Sequence, residues 1–362
     1  PELFYLFEER ELKNLFGRFL MNNQRYIYSL YGSRQEPATA LYNLIWAPLQ
    51  DELTDCHTVF ISPSGLLHKI SFSALCISEN RYLCDQYRIL PRMSTSAIVN
   101  YDTAEITDIS VFVLGGIQYN SETTQSIVWP YLPGTLAEAD TLSSLLLDGR
   151  IQHAVNKKSR ASEDRFKEDV AHYNVLHIST HGFFYPDPKE LMLSKMKTSV
   201  ETEVETRASA NGDWGFGMYA FATNRQPMMR SGLVLAGAND VWNRDASPPL
   251  NAEDGVLTAL EVSQLNLLDV RLAVMSACET GLGDIRGSEG VYGLQRAFRM
   301  AGVDCIIMSL WKVADNETKE FMTIFYNKLL ETRNVRQAFY DTQCQMRQKY
   351  DPYFWGAFVL LE

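Results

Sequence analysis

The sequence predicts an α/β protein with a mostly parallel sheet covered by helices on both faces. Three observations predict it. Short, mostly apolar runs recur along the chain, among them Val111–Leu114, Leu272–Ala277 and Val303–Leu310. Segments between them carry apolar residues at helical spacing, as at Val291, Leu294, Phe298 and Ala301. Two of the runs end in a histidine and a cysteine, and open α/β sheets keep their sites outside the carboxyl ends of their strands.

In chain order, residues 1–55 read as helical with an aromatic-rich interior. His57–Ser62 reads as a strand entering a Pro-Ser-Gly turn. Leu66–Leu75 reads as extended and then helical, and Tyr87–Pro91 as a short strand. The polar residues 102–109 mark a boundary, which divides the chain into 1–107 and 108–362. After it, Val111–Leu114 runs into Gly115-Gly116. A helix is expected to open at the capping-box pattern Thr135-Leu136-Ala137-Glu138. Ile151–Val155 is a strand, Ser162–Val170 a helix, Val175–Thr180 the histidine-bearing strand and Gly232–Leu235 a further strand. Leu272–Ala277 bears the cysteine and leads into a glycine-rich loop at 281–287. The Val291–Ala301 helix, the Val303–Leu310 strand, helices near 315–329 and 334–349, and a last strand at 356–360 complete the pattern. Crossovers between parallel strands are expected to be right-handed.

Composition narrows the function classes. The 362 residues carry a formal net charge of -11, which argues against a nucleic-acid binder with its basic stripe. Basic substrates or partners stay open. No apolar run reaches the ~18 residues of a membrane span, and no basic-then-apolar signal opens the chain. The chain begins at Pro1 with an already helical pattern, so we expect a piece of a longer protein or a processed product. Its six cysteines form no CxxC pair and no disulfide framework, which fits a reducing cytoplasm, and no zinc-type cluster stands out. No GxSxG elbow, P-loop, complete dinucleotide fingerprint or HExxH occurs.

The chemistry concentrates at His181 and Cys278. A thiol with a free pKa of about 8.5 is a weak nucleophile at neutral pH, and an imidazole beside it takes the proton or stabilises the thiolate. Attack on a carbonyl creates an oxyanion that needs positioned N–H donors. Gly182 and Cys278 are the candidate donors: Gly182, just after the histidine, offers an N–H with no side chain in the way, and Cys278 offers its own at an expected strand-to-helix turn. Taken singly, the histidine reads as a turn residue and the cysteine as a small buried apolar group. Their pairing at the ends of core strands is what points to a site. His177, four residues before His181, reads as a core or supporting histidine, and Cys305 as buried.

With these residues in hand, the chain resembles the CHAT domain, a caspase-like family of clan CD cysteine peptidases related to separase. The resemblance covers most of the chain. It is carried by Ile61–Leu66 with Ile70–Leu75, by Leu132-Pro133-Gly134 with Glu138-Ala139, and by Ser179–Phe183 and Gly232–Asn239. The strongest block is Ser276-Ala277-Cys278-Glu279-Thr280-Gly281 running on to Gly287–Val291, then through Arg296-Ala297-Phe298 to Ser309-Leu310-Trp311, with Trp355–Phe358 at the end.

The resemblance implies a caspase-like sheet and an endopeptidase with His181 and Cys278 as dyad and no metal or organic cofactor. It implies a degenerate caspase-like part over 1–107 packed on an active part over 108–362. It also implies a regulatory module or partner, often tetratricopeptide repeats, and a setting in bacterial defence or cell-death signalling. The expected partners are a protein or peptide substrate and such a regulator, with no nucleic acid and no membrane. Some relatives place an acid two residues before the cysteine to bind a basic substrate side chain; here that position is Ser276. Glu279, Asp240 or Asp284 are candidates to supply the acidity instead, or the pocket takes an apolar or small residue. A catalytically idle docking module and another hydrolase or acyltransferase with the same dyad remain as rivals. Residues 185–229 break the strand–helix rhythm and read as an insertion: a surface loop, or a lid or self-cleaved segment with Arg207, Arg225 and Arg230 as basic positions.

Overall fold

The computed structural model describes residues 2–16, 24–31, 37–93, 104–120, 127–185, 187–188, 221–242, 253–276, 284–285 and 291–362. The chain forms two compact units. One comprises Pro1–Glu105, Gly287–Gly290 and Ser309–Glu362, and the other Ile106–Arg286 and Val291–Met308.

The first unit opens with α1 (Glu9–Phe16), α2 (Gln24–Tyr31) and α3 (Pro37–Ile45). β1 (Thr58–Ile61) follows, then the antiparallel pair β2 (Cys76–Ser78) and β3 (Arg81–Tyr82), and β4 (Arg88–Pro91), which runs parallel to β1. The segment expected to be extended and then helical forms two short 3-10 turns, Gly65–Lys69 and Phe72–Ala74. Ile70 and Ser71 between them are extended, so no α-helical ladder propagates.

The second unit carries five parallel strands: β5 (Ser110–Ile117), β6 (Gln152–Lys158), β7 (Val175–Ile178), β11 (Leu272–Met275) and β14 (Cys305–Ser309). Their spatial order is β14-β11-β7-β5-β6, so this is the α/β fold with a parallel sheet that the sequence predicts. Every residue of β7 and of β11 is buried, which explains why these strands read as continuous rather than alternating runs. α4 (Pro133–Asp148) packs on β5 and β6. α5 (Glu163–Asp169) starts from Ser162, whose hydroxyl accepts from Arg165 N–H.

A second, antiparallel sheet joins β8 (Gly182–Phe184), β9 (Ser231–Val234) and β10 (Val256–Thr258) in the order β10-β9-β8. The short helices α6 (Ala238–Trp242) and α7 (Ala259–Val262) follow β9 and β10. The two-residue strands β12 (Asp284–Ile285) and β13 (Val291–Tyr292) pair, and α8 (Leu294–Ala301) leads to β14.

The chain then returns to the first unit with α9 (Asp315–Thr332), α10 (Val335–Arg347), α11 (Pro352–Trp355) and β15 (Phe358–Leu361). There Arg92 and Arg336 both engage the buried Glu362 carboxylate, Arg336 Nε at 2.5 Å. No helix among the described residues is long and apolar enough to cross a membrane.

A charge cluster in the second unit makes stability depend on pH. Lys167 Nζ lies 2.7 Å from Glu163 Oε1, 2.7 Å from Glu253 Oε2 and 3.0 Å from Glu261 Oε1. Glu163 Oε2 also accepts from the N–H groups of Asp254 and Gly255. Burial, and then the hydrogen bond with Glu253, pushes the Glu163 carboxyl up to about 8. Folding therefore favours protonated Glu163, a contribution complete below its ordinary 4.5 and lost as pH rises toward about 8. Burial likewise raises the neighbouring Asp254 to about 6. Glu253 is held below the usual range by its hydrogen bond from Glu163, so its contribution is lost instead in acid. The melting temperature of the wild type is expected to fall by several degrees between about pH 5 and about pH 8.5. Glu163→Gln, which keeps the shape without the titration, is expected to flatten that slope. A wild-type slope in the variant, followed by scanning calorimetry, would refute this assignment.

Candidate active site

β7 and β11 are neighbours, run parallel and pair in register from Leu272↔Val175 to Met275↔Ile178. Their carboxyl ends finish level, where Ser276 N–H donates to Ile178 O at 2.9 Å. His181 follows Ile178 by three residues, and Cys278 follows Met275 by three. Adjacency of the two strands, the condition on which the pairing of these residues depends, is thus met. Cys278 and Glu279 lie outside the described residues, as does the side chain of Asp284, whose backbone pairs with Tyr292 in the β12–β13 hairpin.

The His181 ring is half-buried and held from several sides. Its Nε2 lies 2.8 Å from Pro130 O. A carbonyl only accepts, so Nε2 carries the proton and Nδ1 of the neutral ring holds the lone pair. The Tyr119 and Trp129 rings flank the imidazole at centroid distances of 5.0 and 5.3 Å. From Trp129 a continuous aromatic wall runs on through Phe183, Phe221 and Trp242.

The histidine backbone is fixed by a chain of hydroxyls. Thr180 Oγ1 donates to Val234 O, so Tyr119 OH, 2.9 Å from that hydroxyl, is the donor to it. Tyr119 in turn bonds the His181 backbone. Burial pushes the Tyr119 phenol up to about 12, against the lowering effect of the Thr180 and His181 hydrogen bonds, so it stays a donor at neutral pH. The His181 carbonyl accepts from Val234 N–H at 2.9 Å, and Tyr185 N–H donates to Arg230 O at 2.8 Å. Bonded positions alternate in an antiparallel ladder, so Gly182 between them turns its N–H away from β9.

The segment that brings Pro130 to the histidine is pinned by Asn239. Its Oδ1 accepts from the N–H groups of Val128 and Trp129, and its Nδ2 donates to Trp129 O and to Asn120 Oδ1. Asn239 is itself fully buried. Asp240, the next residue, is half-buried in α6.

The same segment leads straight into α4, whose start differs from the expected one. The helix begins at Pro133, not at the Thr135–Glu138 pattern. Thr135 Oγ1 instead accepts from Gly116 N–H at 3.0 Å and donates to Leu132 O at 2.8 Å. The Glu138 side chain does not return to cap the helix. Its Oε2 accepts from Ser179 Oγ at 2.8 Å and from Ser276 Oγ at 3.1 Å, and its Oε1 lies 3.2 Å from His177 Nε2. Glu138, His177 and Ser179 are all buried, and the two serine hydroxyls that donate to Oε2 offset the desolvation of the carboxylate in part. Pro133 at the first helical position supersedes the capping box because its fixed φ suits that position and its missing N–H needs no cap there.

Among the residues singled out from the sequence, His181 and Gly182 sit together at the end of β7 and start of β8. The Ser276 hydroxyl is engaged by Glu138. Arg230, one of the basic positions considered for self-cleavage, is fully buried, with Nε donating to Tyr185 O and Nη1 to Asn224 O; a protease cannot reach it without local unfolding. Arg225 is exposed, and Arg207 lies outside the described residues. Tyr119, Pro130, Glu138 and Asn239 escaped the sequence reading as site residues. Glu138 had a signal, an acid on the buried face of its helix. The others act through backbone or fold-dependent contacts that leave none.

Three comparisons relate the chain to known proteins. A family model described as CHAT domain matches residues 35–362. The human protein named tetratricopeptide repeat protein 28 is 25% identical over 345 residues, covering 90% of this chain and 13% of its own length. Its mouse namesake is 24% identical over 311 residues, 81% of this chain and 12% of its own. The chain thus spans about an eighth of the curated relatives it matches. Among solved structures, the Saccharomyces cerevisiae separase–securin complex matches at a TM-score of 0.44 and 11% identity, covering 88% of this chain and 17% of that chain. A second structure of that complex gives 0.45 and 11%, over 96% and 20%.

Proposed function

Because the chain belongs to the CHAT domain family, we propose that it is a caspase-like cysteine endopeptidase with His181 and Cys278 as its dyad. The observation that carries this reading is the level ending of β7 and β11 as parallel neighbours. Each strand is followed after the same interval by one member of the pair. Two residues of chain reach at most about 7 Å, so Cys278 cannot stray far from Ser276.

The chemistry follows from the histidine's tautomer. With Nε2–H given to Pro130 O, Nδ1 takes the Cys278 thiol proton. The thiolate sulfur attacks the scissile carbonyl carbon, and the carbonyl electron pair moves to oxygen. Gly182 N–H, turned away from its ladder, and Cys278 N–H hold that oxyanion. Collapse forms a thioester, and the imidazolium proton leaves on the amine. Water then attacks the thioester, with Nδ1 as base, and releases the acid and the thiol.

The substrate in this reading is a protein or peptide, and the residue before the scissile bond meets a pocket in which Ser276, Glu279, Asp240 or Asp284 takes part. The Ser276 hydroxyl is already committed to Glu138, which favours one of the other three as the source of acidity, or an apolar or small side chain against the aromatic wall. Residues 1–107 act as the degenerate caspase-like part and 108–362 as the active part. A tetratricopeptide-repeat module, attached or in trans, regulates cleavage in a signalling or defence setting; the names and greater length of the curated relatives support such a module.

Mass spectrometry of new amino termini in a proteome digest, wild type against Cys278→Ala, tests the proposal. Cleavages present with the wild type and absent with the variant are expected, and their sequences read out the specificity. If Cys278 is alkylated normally by an electrophilic probe but no cleavage appears with or without the repeat module, the chain is a docking module instead.

A further inference from the structure

We propose that Glu138 is a positioning residue: its buried carboxylate ties the carboxyl ends of β7 and β11 together and sets the spacing at which His181 and Cys278 meet. The proposal rests on the dyad reading above. One oxygen, Oε2, accepts from a serine on each strand, Ser179 at 2.8 Å and Ser276 at 3.1 Å. These serines continue the β7–β11 register, and each stands two residues before a dyad residue. The other oxygen faces His177 Nε2 at 3.2 Å, on the same strand as Ser179. Backbone pairing already joins the strands up to Ser276 N–H and Ile178 O. Past that point the Glu138 bridge is the next link between them among the described residues.

The helix that supplies Glu138 also follows directly on the segment that supplies Pro130 O to His181. One element therefore sets both the histidine's acceptor and the strand-end spacing. Its seating depends on Gly115 and Gly116: a Cβ on Gly115 would meet Thr135 O at 2.7 Å, and one on Gly116 would meet Leu136 Cδ1 at 2.7 Å. An apolar side chain at position 138 would fill the same space at lower desolvation cost, yet it would hold neither serine. Reactive pairs are sensitive to such spacing, with a displacement of 1 Å worth about 10²-fold in rate.

The test measures alkylation of Cys278 by iodoacetamide, followed by mass spectrometry of its peptide, in the full chain at a temperature well below the melting point of each variant. His181→Ala is the reference. Slower alkylation in that variant is expected; an unchanged rate would overturn the dyad itself, whatever Glu138 does. With the reference slowed, Glu138→Ala is expected to slow alkylation about 10²-fold. Glu138→Gln, whose amide oxygen still accepts a hydroxyl, is expected to recover part of that loss. Ser179→Ala and Ser276→Ala leave the carboxylate in place and each remove one tie, for a loss of about 3- to 10-fold. A purely structural Glu138 would lower the melting temperature and leave the folded protein's alkylation rate untouched. Wild-type rates in folded Glu138→Ala would overturn the proposal, as would wild-type rates in both serine variants if Glu138→Ala does not fold.

Discussion

Replacing His181 with alanine is expected to lower the rate of peptide cleavage by at least about 10³-fold, with KM changed far less. Cys278→Ala is expected to abolish cleavage. In the proposed mechanism the histidine acts on the thiol, so its loss would remove both the proton acceptor for attack and the donor for the leaving amine. The structure argues that folding tolerates the change. The ring is half-buried at a strand end, and its Nε2 bonds Pro130 O. The segment carrying Pro130 is held independently by three hydrogen bonds to Asn239. Loss of the ring is expected to cost about 1 kcal/mol of stability, a small shift in the melting curve. Steady-state kinetics on a substrate found by the proteome digest, together with thermal melts, checks both halves. A folded His181→Ala variant retaining wild-type turnover would remove His181 from the mechanism.

Gly116→Val is expected to be the most damaging single change at a position that contributes no side chain. Gly116 has φ of +59°, which L residues reach only at a cost, and β-branched ones least readily. The new Cβ would also lie 2.7 Å from Leu136 Cδ1, 2.9 Å from Leu136 Cβ and 3.1 Å from Leu136 Cα. The last two belong to the helix itself and cannot swing aside. Left-handed strain and overpacking together amount to about 3 kcal/mol, a fall in melting temperature of roughly 10 °C for a unit of this size. Gly237→Ala serves as the control, since it shares a positive φ of +83° but its Cβ would meet nothing within 4 Å. It is expected to cost only the backbone term, about 1–2 kcal/mol. Equal effects of the two substitutions in thermal melts would show that the approach of α4 to β5 is not what requires Gly116.

Several parts of this protein are legible in the sequence alone. β7 and β11 are legible because strands buried on both faces are apolar over nearly their whole length, His177 being the one polar residue of the two strands. The helices at Asp315–Thr332 and Val335–Arg347 were legible from periodicity for the same kind of local reason. The start of α4 misled, because Thr135 and Glu138 stand at capping-box spacing while both side chains are used elsewhere. Thr135 binds Gly116 and Glu138 binds serines on two other strands, at separations of 19, 41 and 138 residues. A local pattern carries no information about contacts at such range.

The division is one of distance along the chain. Sequence alone determined the α/β class, the histidine and cysteine at strand ends and the family motifs, because each is written in residues within one turn or one strand of each other. Tertiary structure decided that the two strands are adjacent and level, since pairing order depends on crossovers that no single segment encodes. It also decided the histidine's tautomer, through a carbonyl 51 residues away, and the use of a glutamate as a tie between strands. Hydrogen bonds of that kind form only after the hydrophobic strands and helices have packed, and only then do a carbonyl and a carboxylate with no local signature become parts of a site.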